Sequence, residues 1–441
     1  MKRLLPLLLC AVLALFCATT AQAAGVSITL TASEYALHYA FDAGAQDPFV
    51  ILEYTTPAEK GWMMLYSADG HFEGDVSLAY SGAGGKTSVV LTSARTTGSI
   101  GKASTTLPKA ADYQKPTGKS NAKVMDFVLT ETPEGFHYAF NAAGTDYMLL
   151  YWRSKEQTVT QPVYPDENGH YEGDVISNLT FARTQFTVQV KSGSGSMKKE
   201  ATVRKGYQAP EAPQRQEGRL SGVTVCIDAG HQENGRFVNE PIGPGLSGST
   251  SGKGGMAQGT KTNRRESIVC LEIGMLLRDE LLRQGANVIM TREDQTTFHT
   301  NIERCEIAEA GGAQIMLRLH CNNSSNRSKR GIQVYGPLNS DYAKAVADAD
   351  TYREMGQKLL DAMKTRVGMT LANSTGMVRL NDNYVGNNWA KMMCFLVEMG
   401  YLSNPAEEYL LVTPVYQQWL AEGMADGVYE IAVARGWVQA Q

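Results

Sequence analysis

The sequence has no apolar run long enough to cross a membrane and no large excess of one charge. Its N-terminal apolar run, Leu4 to Phe16, is shorter than the ~20 residues that a spanning helix needs. The 441 residues include 41 basic and 45 acidic ones, for a net charge of −4, and no basic stripe stands out. Binding to nucleic acid through charge is therefore not expected. The length suits two or three domains.

Cysteine is scarce and shows no metal-binding spacing. Cys10 and Cys17 lie in the N-terminal segment, and the other five are Cys226, Cys270, Cys305, Cys321 and Cys394. No CxxC pair occurs, and an odd number of cysteines cannot pair completely within one chain. Because most of the five lie in apolar runs, we predict buried, small hydrophobic side chains and no disulfide framework.

The first residues follow the pattern of an export signal. Lys2 and Arg3 precede the apolar run, and Ala21-Gln22-Ala23 forms a small-x-small site after it. This pattern predicts a signal peptide over residues 1–23, cleaved after Ala23. A membrane anchor is the alternative, which the short run disfavours. We expect an exported, extracellular protein without a stable membrane span after cleavage.

The N-terminal part contains an internal repeat. Residues Leu37–Ala43 return as Phe136–Ala142, and Asp69–Val76 return as Asn168–Val175, both at an offset of 99 residues (137 − 38 and 170 − 71). Each copy is rich in short β-branched and aromatic runs separated by turn residues. We predict two small all-β modules of Ig-like sandwich type, 24–103 and 124–204, with linkers at 104–123 and 205–218. A doubled module suits binding to a wall or surface ligand, and a simple spacer is the alternative.

After residue 219 the pattern changes to alternating strands and helices. Such alternation predicts an α/β domain over 219–441, with a mostly parallel sheet and helices on both faces. The predicted strands are 223–228, 287–291, 314–320, 331–335 and 394–398. The predicted helices are 265–284, 302–309 and 340–367, with two closing helices after Pro405 and Pro414.

Three chemically suitable side chains follow or end strands of that domain. His231 and His320 come just after apolar strands, and Glu398 ends another. Ligands of open α/β sheets bind outside the carboxyl ends of the strands. Glu266 opens the helix between the two histidines, and two imidazoles with one carboxylate form a ligand set for one catalytic zinc ion. Glu398 is then either the proton carrier or an ordinary strand-end carboxylate. The helical HExxH pattern is missing.

The other histidines and a Gly/Ser-rich segment have simpler interpretations. Histidines 38, 71, 137 and 170 could form a second metal site, but their place in alternating strands favours surface or cross-strand contacts. His299 is expected to lie beside a helix cap. Residues 243–259 lack the order of a phosphate loop, and we predict a flexible loop beside the site that can fold over a substrate.

These motifs resemble the zinc-dependent N-acetylmuramoyl-L-alanine amidases of bacterial cell-wall turnover. The resemblance rests on Ile227–His231, Arg265–Ser267, Val288–Arg292, Arg318–Asn322 and Val397–Asn404. Asn301–Ala308, with Arg304, also resembles the helix before the second histidine. The separation of His231 and Glu266 is longer than in compact members, because of the Gly/Ser segment.

The resemblance implies a reaction and a role for each site residue. One Zn²⁺ per catalytic domain would be held by His231, Glu266 and His320, and Glu398 would be general base and acid. Arg318 and Asn322 would help to bind the substrate, peptidoglycan, and the exported protein would then be extracellular or associated with the cell wall. The reaction would cleave the amide between N-acetylmuramic acid and L-alanine of the stem peptide. The alternatives are a zinc peptidase acting on another cell-wall amide and a secreted wall-binding protein with a silent catalytic domain.

Overall fold

The structure is a computed structural model that divides into two compact units. It describes residues 19–21, 25–33, 36–45, 47–78, 84–94, 98–109, 123–132, 135–143, 148–153, 157–163, 165–176, 185–192, 196–204, 210–232, 238–250, 255–262, 264–367 and 377–440. The first unit covers Met1–Ser177 and Phe186–Val203, and the second covers Asn178–Gln185 and Arg204–Gln441. Apart from residues 19–21, the predicted signal peptide lies outside the described residues.

The described part of the first unit is all β, as predicted. Strand β1 (Thr19–Ala21) lies within the predicted signal peptide and pairs with β2 (Ile28–Ala32), the first strand of the first module. The other strands of the first module are β3 (Ala36–Asp42), β4 (Phe49–Thr55), β5 (Glu59–Tyr66), β6 (His71–Ser77), β7 (Gly85–Ser93) and β8 (Ser99–Leu107). The second has β9 (Val124–Thr132), β10 (Gly135–Ala142), β11 (Met148–Arg153), β12 (Gln157–Val163), β13 (His170–Ile176), β14 (Gln185–Lys191) and β15 (Met197–Arg204). Strand β8 continues past Ser104, where the sequence predicted a linker.

The two modules share one sheet. Strands β1-β2-β3-β6 and β13-β10-β9 form separate sheets, and the order of the third is β15-β14-β11-β12-β5-β4-β7-β8. The modules meet where β12 pairs with β5 in antiparallel fashion, with Val159 opposite Glu59. Alternate residues along the strands are buried, and those of the first module form an apolar core. The sequence predicted two separate sandwiches, and it carried no signal for this edge-to-edge pairing.

The repeat histidines make cross-strand contacts with acidic side chains. His38 Nδ1 lies 3.1 Å from Asp75 Oδ1, and the corresponding atoms of His137 and Asp174 are 2.9 Å apart. Strand β3 pairs with β6 so that His38 is directly opposite Asp75. This arrangement agrees with the cross-strand interpretation of these histidines.

The second unit is an α/β domain. Its strands are β16 (Thr224–Ala229), β17 (Asn287–Met290), β18 (Ile315–Asn322), β19 (Gln333–Gly336), β20 (Met377–Leu380) and β21 (Met393–Tyr401). Its helices are α1 (Glu266–Arg283), α2 (Asn301–Ala310), α3 (Asp341–Val346), α4 (Ala349–Val367), α5 (Val385–Trp389), α6 (Glu407–Leu410) and α7 (Pro414–Ala434). Among the described residues, no helix is both long and apolar enough to cross a bilayer.

The sheet of this unit is mostly parallel, and both of its faces are covered by helices. The strand order is β17-β16-β18-β21-β19-β20, and only the β19–β21 pair is antiparallel. On one face, Gly274 of α1 packs against Ile227 and Leu319. On the other, Cys305 of α2 packs in a cluster with Cys226. Cys226 and Ile227 are neighbours on one strand, so they point to opposite faces.

Two regions of this unit differ from the sequence-based expectation. The predicted helix 340–367 is broken between α3 and α4, where Asp348 Oδ1 accepts a 2.8 Å hydrogen bond from Thr351 N and begins a new helix. Part of the predicted linker 205–218 is fixed on the domain, since Arg278 Nη2 donates to Pro210 O and Gln216 N donates to Leu282 O.

Candidate metal centre

Parallel pairing of β18 with β21 brings His320 and Glu398 to the same level of the sheet. His320 on β18 is in register with Glu398 on β21. His231 lies just beyond β16, the neighbour of β18 on its other side, and its φ of 58° is in the left-handed region that non-glycine residues rarely adopt. The backbone turns sharply here and holds the imidazole at the end of the strand.

Glu266 connects the two histidines. It is the first residue of α1 and is 3% exposed. Its Oε1 atom lies 3.1 Å from His231 Nε2 and 3.0 Å from His320 Nδ1. Backbone groups orient the same carboxylate, because Oε1 accepts a hydrogen bond from Cys321 N and Oε2 accepts one from Ala257 N.

This group has the chemistry and the spacing of a metal site. One ligand atom from each of His231, Glu266 and His320 lies within 4.8 Å of the others, and no second such group occurs among the described residues. Two imidazoles and one carboxylate suit zinc and leave a coordination position open. His320 Nε2 is buried without a hydrogen-bond partner in the described part of the chain. The donor set therefore fits a divalent ion.

Burial and the neighbouring histidines act in opposite directions on the pKa of the Glu266 carboxyl. Burial alone would raise the pKa of its carboxyl, but the hydrogen bonds with His231 and His320 outweigh burial and hold the pKa well below its usual range. Burial lowers the pKa of the His320 imidazole, in spite of the adjacent carboxylate. An ionised carboxylate and a neutral imidazole are the forms that bind metal.

The pKa of the Glu398 carboxyl is raised, whereas that of Glu266 is lowered. Burial, together with the nearby negative charge of Glu266, raises the pKa of its carboxyl to about 8. Its Oε2 atom is buried and has no hydrogen-bond partner among the described residues. A carboxyl group with a pKa near neutrality can both accept and return a proton. Two glutamates of one site are thus suited to different tasks by their surroundings.

All four side chains line one cleft of about 1070 Å³. The cleft is also bordered by Thr250 and Met256 of the Gly/Ser-rich segment 243–259. Two residues of this segment are anchored, because Asp341 N donates to Pro244 O and Ala257 N donates to Glu266 Oε2. Residues 251–254 of the predicted flexible loop lie outside the described residues.

Comparison with known proteins places this domain in a family. Residues 225–430 match the family model described as N-acetylmuramoyl-L-alanine amidase. These residues form a domain of that family. The match confirms the resemblance drawn from the sequence motifs, and it includes all four residues of the candidate site.

Several known proteins are similar to the amidase domain. The germination-specific N-acetylmuramoyl-L-alanine amidase of Bacillus subtilis is 26% identical over 231 residues, which are 49% of this chain and 83% of that protein. The probable cell wall amidase LytH of Staphylococcus aureus is 27% identical over 218 residues, which are 48% of this chain and 60% of LytH. The structure of the amidase Ami1 from Mycobacterium smegmatis matches 49% of this chain and 99% of Ami1, with 17% identity and a TM-score of 0.43.

The two predicted substrate residues of the amidase domain line the cleft but have partners within the protein. Arg318 is 3% exposed; its Nε donates to Asp228 Oδ2 at 2.9 Å and its Nη2 to Asn301 Oδ1 at 2.6 Å. Asn322 Nδ2 donates to Gln333 Oε1 at 3.2 Å. Their contact with substrate stays a prediction, and the geometry gives Arg318 an additional, structural task.

The structural role of Arg318 was not predicted from the sequence, because no role was assigned there to Asp228. This carboxylate is completely buried. It accepts hydrogen bonds from Arg304, Arg318 and Thr291. Burial would raise its pKa, but the two guanidinium groups hold it well below its usual range. An aspartate inside an otherwise apolar strand was the available signal, since a buried charge requires a partner.

Other parts of the cleft wall also escaped prediction. Tyr384 lies at the N-cap of α5, a helix that no sequence pattern indicated. Its ring centroid is 5.0 Å from that of Tyr335. His299 precedes the capping residue Thr300 of α2, in agreement with the expected cap region, and it also borders the cleft.

Proposed function

We propose that this protein is an exported peptidoglycan hydrolase that cleaves the amide between N-acetylmuramic acid and L-alanine of the stem peptide. The observation that carries the proposal is the convergence of His231, Glu266 and His320 beside the buried Glu398. These four residues are distant in sequence and line one cleft in a domain of the amidase family. The chemistry of the site therefore agrees with the reaction that the family name describes.

In the proposed mechanism, His231, Glu266 and His320 would hold one Zn²⁺. When bound there, zinc would serve as a Lewis acid that activates water and polarises the amide carbonyl. Glu398 acts first as a general base that takes a proton from the attacking water. It then returns the proton to the nitrogen of the leaving L-alanine. Its raised pKa, about 8, allows both steps near neutral pH.

The surrounding protein keeps these groups in place. The hydrogen bond from Cys321 N and that from Ala257 N hold the Glu266 carboxylate. The ion pairs of Asp228 with Arg304 and Arg318 connect β16, α2 and β18 at the wall of the cleft. Preorganised ligands reduce the cost of adopting the geometry that the reaction requires.

Digestion of purified peptidoglycan by the full chain tests the proposal. Release of intact stem peptides with a new N-terminal alanine is the expected product pattern. Cleavage at a crosslink or within the stem would support the alternative of a zinc peptidase. A protein that binds the wall but releases nothing with zinc present would favour the third possibility, a silent catalytic domain.

We further propose that the N-terminal modules are Ig-like sandwiches that bind the wall or a surface ligand, and that residues 1–23 direct export. The support is the preserved repeat, whose two copies carry the same His–Asp contacts on one face. Sedimentation with purified sacculi should retain the full chain, and deletion of residues 24–204 should weaken retention. Equal retention of the two proteins would favour a spacer. Detection of a mature N-terminus at Ala24 in the culture fluid or wall fraction tests the export signal.

A further inference from the structure

Two adjacent glutamates on the short helix α6 are buried, and their carboxylates bind different parts of the amidase domain. Glu407 and Glu408 are 2% and 0% exposed. Glu407 accepts hydrogen bonds from Gly331 N and from Tyr401 N at the end of β21. Glu408 faces a segment that lies far earlier in the chain, and the proposed mechanism gives it no role.

The Glu408 carboxylate holds the tip of a hairpin. Its Oε1 atom accepts a 3.0 Å hydrogen bond from Thr260 Oγ1, and its Oε2 atom accepts a 2.8 Å hydrogen bond from Lys261 N. Thr262 adds two longer bonds to Oε2, from N at 3.2 Å and from Oγ1 at 3.3 Å. A buried carboxylate requires such donors, so the carboxylate and the hairpin tip hold each other in place.

This hairpin, which we call the ligand hairpin, has the described residues 257–262 and 264–266 and ends at a candidate metal ligand. At its base, Glu266 N donates to Ala257 O. Ala257 N donates in turn to Glu266 Oε2 at 2.7 Å. The backbone that is anchored at the tip therefore orients the Glu266 carboxylate at the base.

The ligand hairpin packs closely against its anchor at Gly259. The amide of this glycine donates to Arg264 O and so joins the two arms of the hairpin. A Cβ atom at Gly259 would clash with Thr262 Oγ1 and would lie 2.6 Å from Glu408 Oε2. A larger residue would therefore have to displace the carboxylate or the tip that it holds.

We propose that Glu408 is a positioning residue of the candidate metal centre, because it anchors the ligand hairpin that carries Glu266. Helix α6 follows β21, the strand of Glu398, so the same contact also fixes the segments of the two site glutamates relative to each other. Loss of a group that orients a metal ligand typically weakens metal binding on the order of 10–100-fold. The inference rests on the proposed zinc site, although Glu408 is not one of its ligands.

The zinc affinity of the full chain, measured by competition with a chelator, tests the proposal. Glu408→Ala should weaken zinc binding on the order of 10-fold, because the tip of the ligand hairpin loses its anchor. Glu408→Gln should recover most of this loss, since its amide oxygen can accept from Lys261 N and its NH₂ group can donate to Thr260 Oγ1. Amide hydrogen exchange of a peptide containing 257–262 should be faster in Glu408→Ala than in the wild type, also without zinc.

Two further variants separate positioning from general stability. Glu407→Ala is the matched control, since it removes a buried carboxylate of the same helix whose hydrogen bonds go to Gly331 and Tyr401. It should destabilise the domain but leave the zinc affinity of the folded chain unchanged. Gly259→Ala disturbs the anchor from the side of the ligand hairpin and should also weaken zinc binding, so the test does not depend on a Glu408→Ala chain that folds.

Three outcomes would overturn the inference. A folded Glu408→Ala or Gly259→Ala chain with the zinc affinity of the wild type would refute it alone. An equal loss of affinity in Glu407→Ala would also refute it alone, because the effect would then reflect a general loosening of the domain. A wild-type chain that binds no zinc would refute the proposed function together with this inference.

Discussion

His320 Nδ1 and Glu266 Oε1 lie 3.0 Å apart, although 54 residues separate them in the sequence. Glu266 Oε1 thereby joins the start of α1 to the end of β18. The same oxygen lies 3.1 Å from His231 Nε2. Glu266→Gln should weaken zinc binding on the order of 100-fold, because it removes the only anionic ligand of the proposed set. Metal content after dialysis measures this effect. Glu354→Gln, an exposed change on α4, should leave the metal content unchanged.

Glu398→Gln should lower the rate of peptidoglycan cleavage by at least about 100-fold, because the variant has no general base. Zinc content should stay at one ion per chain, since Glu398 is not among the proposed ligands. Product release under saturating substrate measures the rate. Glu306→Gln, an exposed change on α2, is the matched control. A variant that keeps most of its activity would exclude Glu398 as the proton carrier.

Gly230→Ala should impair the metal centre by steric contact. A Cβ atom at this position would clash with Leu319 O and would lie 2.6 Å from His320 Cε1 and 2.8 Å from His320 Nε2, so both the backbone of β18 and the ring would have to move. We expect a loss of zinc affinity and a destabilisation of about 1–3 kcal/mol. Calorimetric zinc titration and denaturant unfolding measure the two effects. Gly255→Ala borders the same cleft, and no atom of the described residues lies within 4 Å of the added carbon, so this change should affect neither quantity.

Asp228→Asn should destabilise the amidase domain by about 3 kcal/mol or more, because it leaves Arg304 and Arg318 buried beside a neutral side chain. The free energy of unfolding in urea measures the loss. Asp350→Asn is the matched control, since the Asp350 side chain is 94% exposed and pairs with Arg353 on the same helix. Its effect should be within about 0.5 kcal/mol.

Glu407 should make stability depend on pH. Burial raises the pKa of its carboxyl from an ordinary 4.5 to about 7, although Tyr401 N and Gly331 N donate hydrogen bonds to it. Between these two values the native state holds a proton that the unfolded chain has lost, so its contribution to stability falls as pH rises. The fall is up to about 3 kcal/mol.

The variant Glu407→Gln isolates this contribution, because its side chain does not ionise. The free energy of unfolding of the wild type minus that of the variant should decrease between about pH 5 and about pH 8. Other ionising groups are common to both proteins and cancel in the difference. A difference that stays constant or increases over this range would contradict the assignment of a raised pKa to Glu407.

Residues near strand ends were the most predictable part of the molecule. His231, His320 and Glu398 could be placed from sequence because parallel strands end at one edge of a sheet. Glu266 followed from its position at the start of a long helix. The five cysteines were predicted to be buried, and all five are.

Features that depend on pairing between distant segments could not be predicted in the same way. The contact of Asp228 with two arginines requires the register of β16 with β18, in which Asp228 is opposite Arg318. The break at Asp348 reflects competition between a side chain and the helix backbone for one N–H group. Tyr384 reaches the cleft through a five-residue helix, too short to produce a periodic signal.

The pairing of β12 with β5 has a consequence for fragments of this protein. In the intact chain each of these strands covers the backbone hydrogen-bonding groups of the other. A fragment containing a single module would leave one of them uncovered, and an exposed strand edge invites association with other chains. A fragment with one module should therefore self-associate or precipitate. A fragment of residues 24–204, which contains both modules, should stay monodisperse.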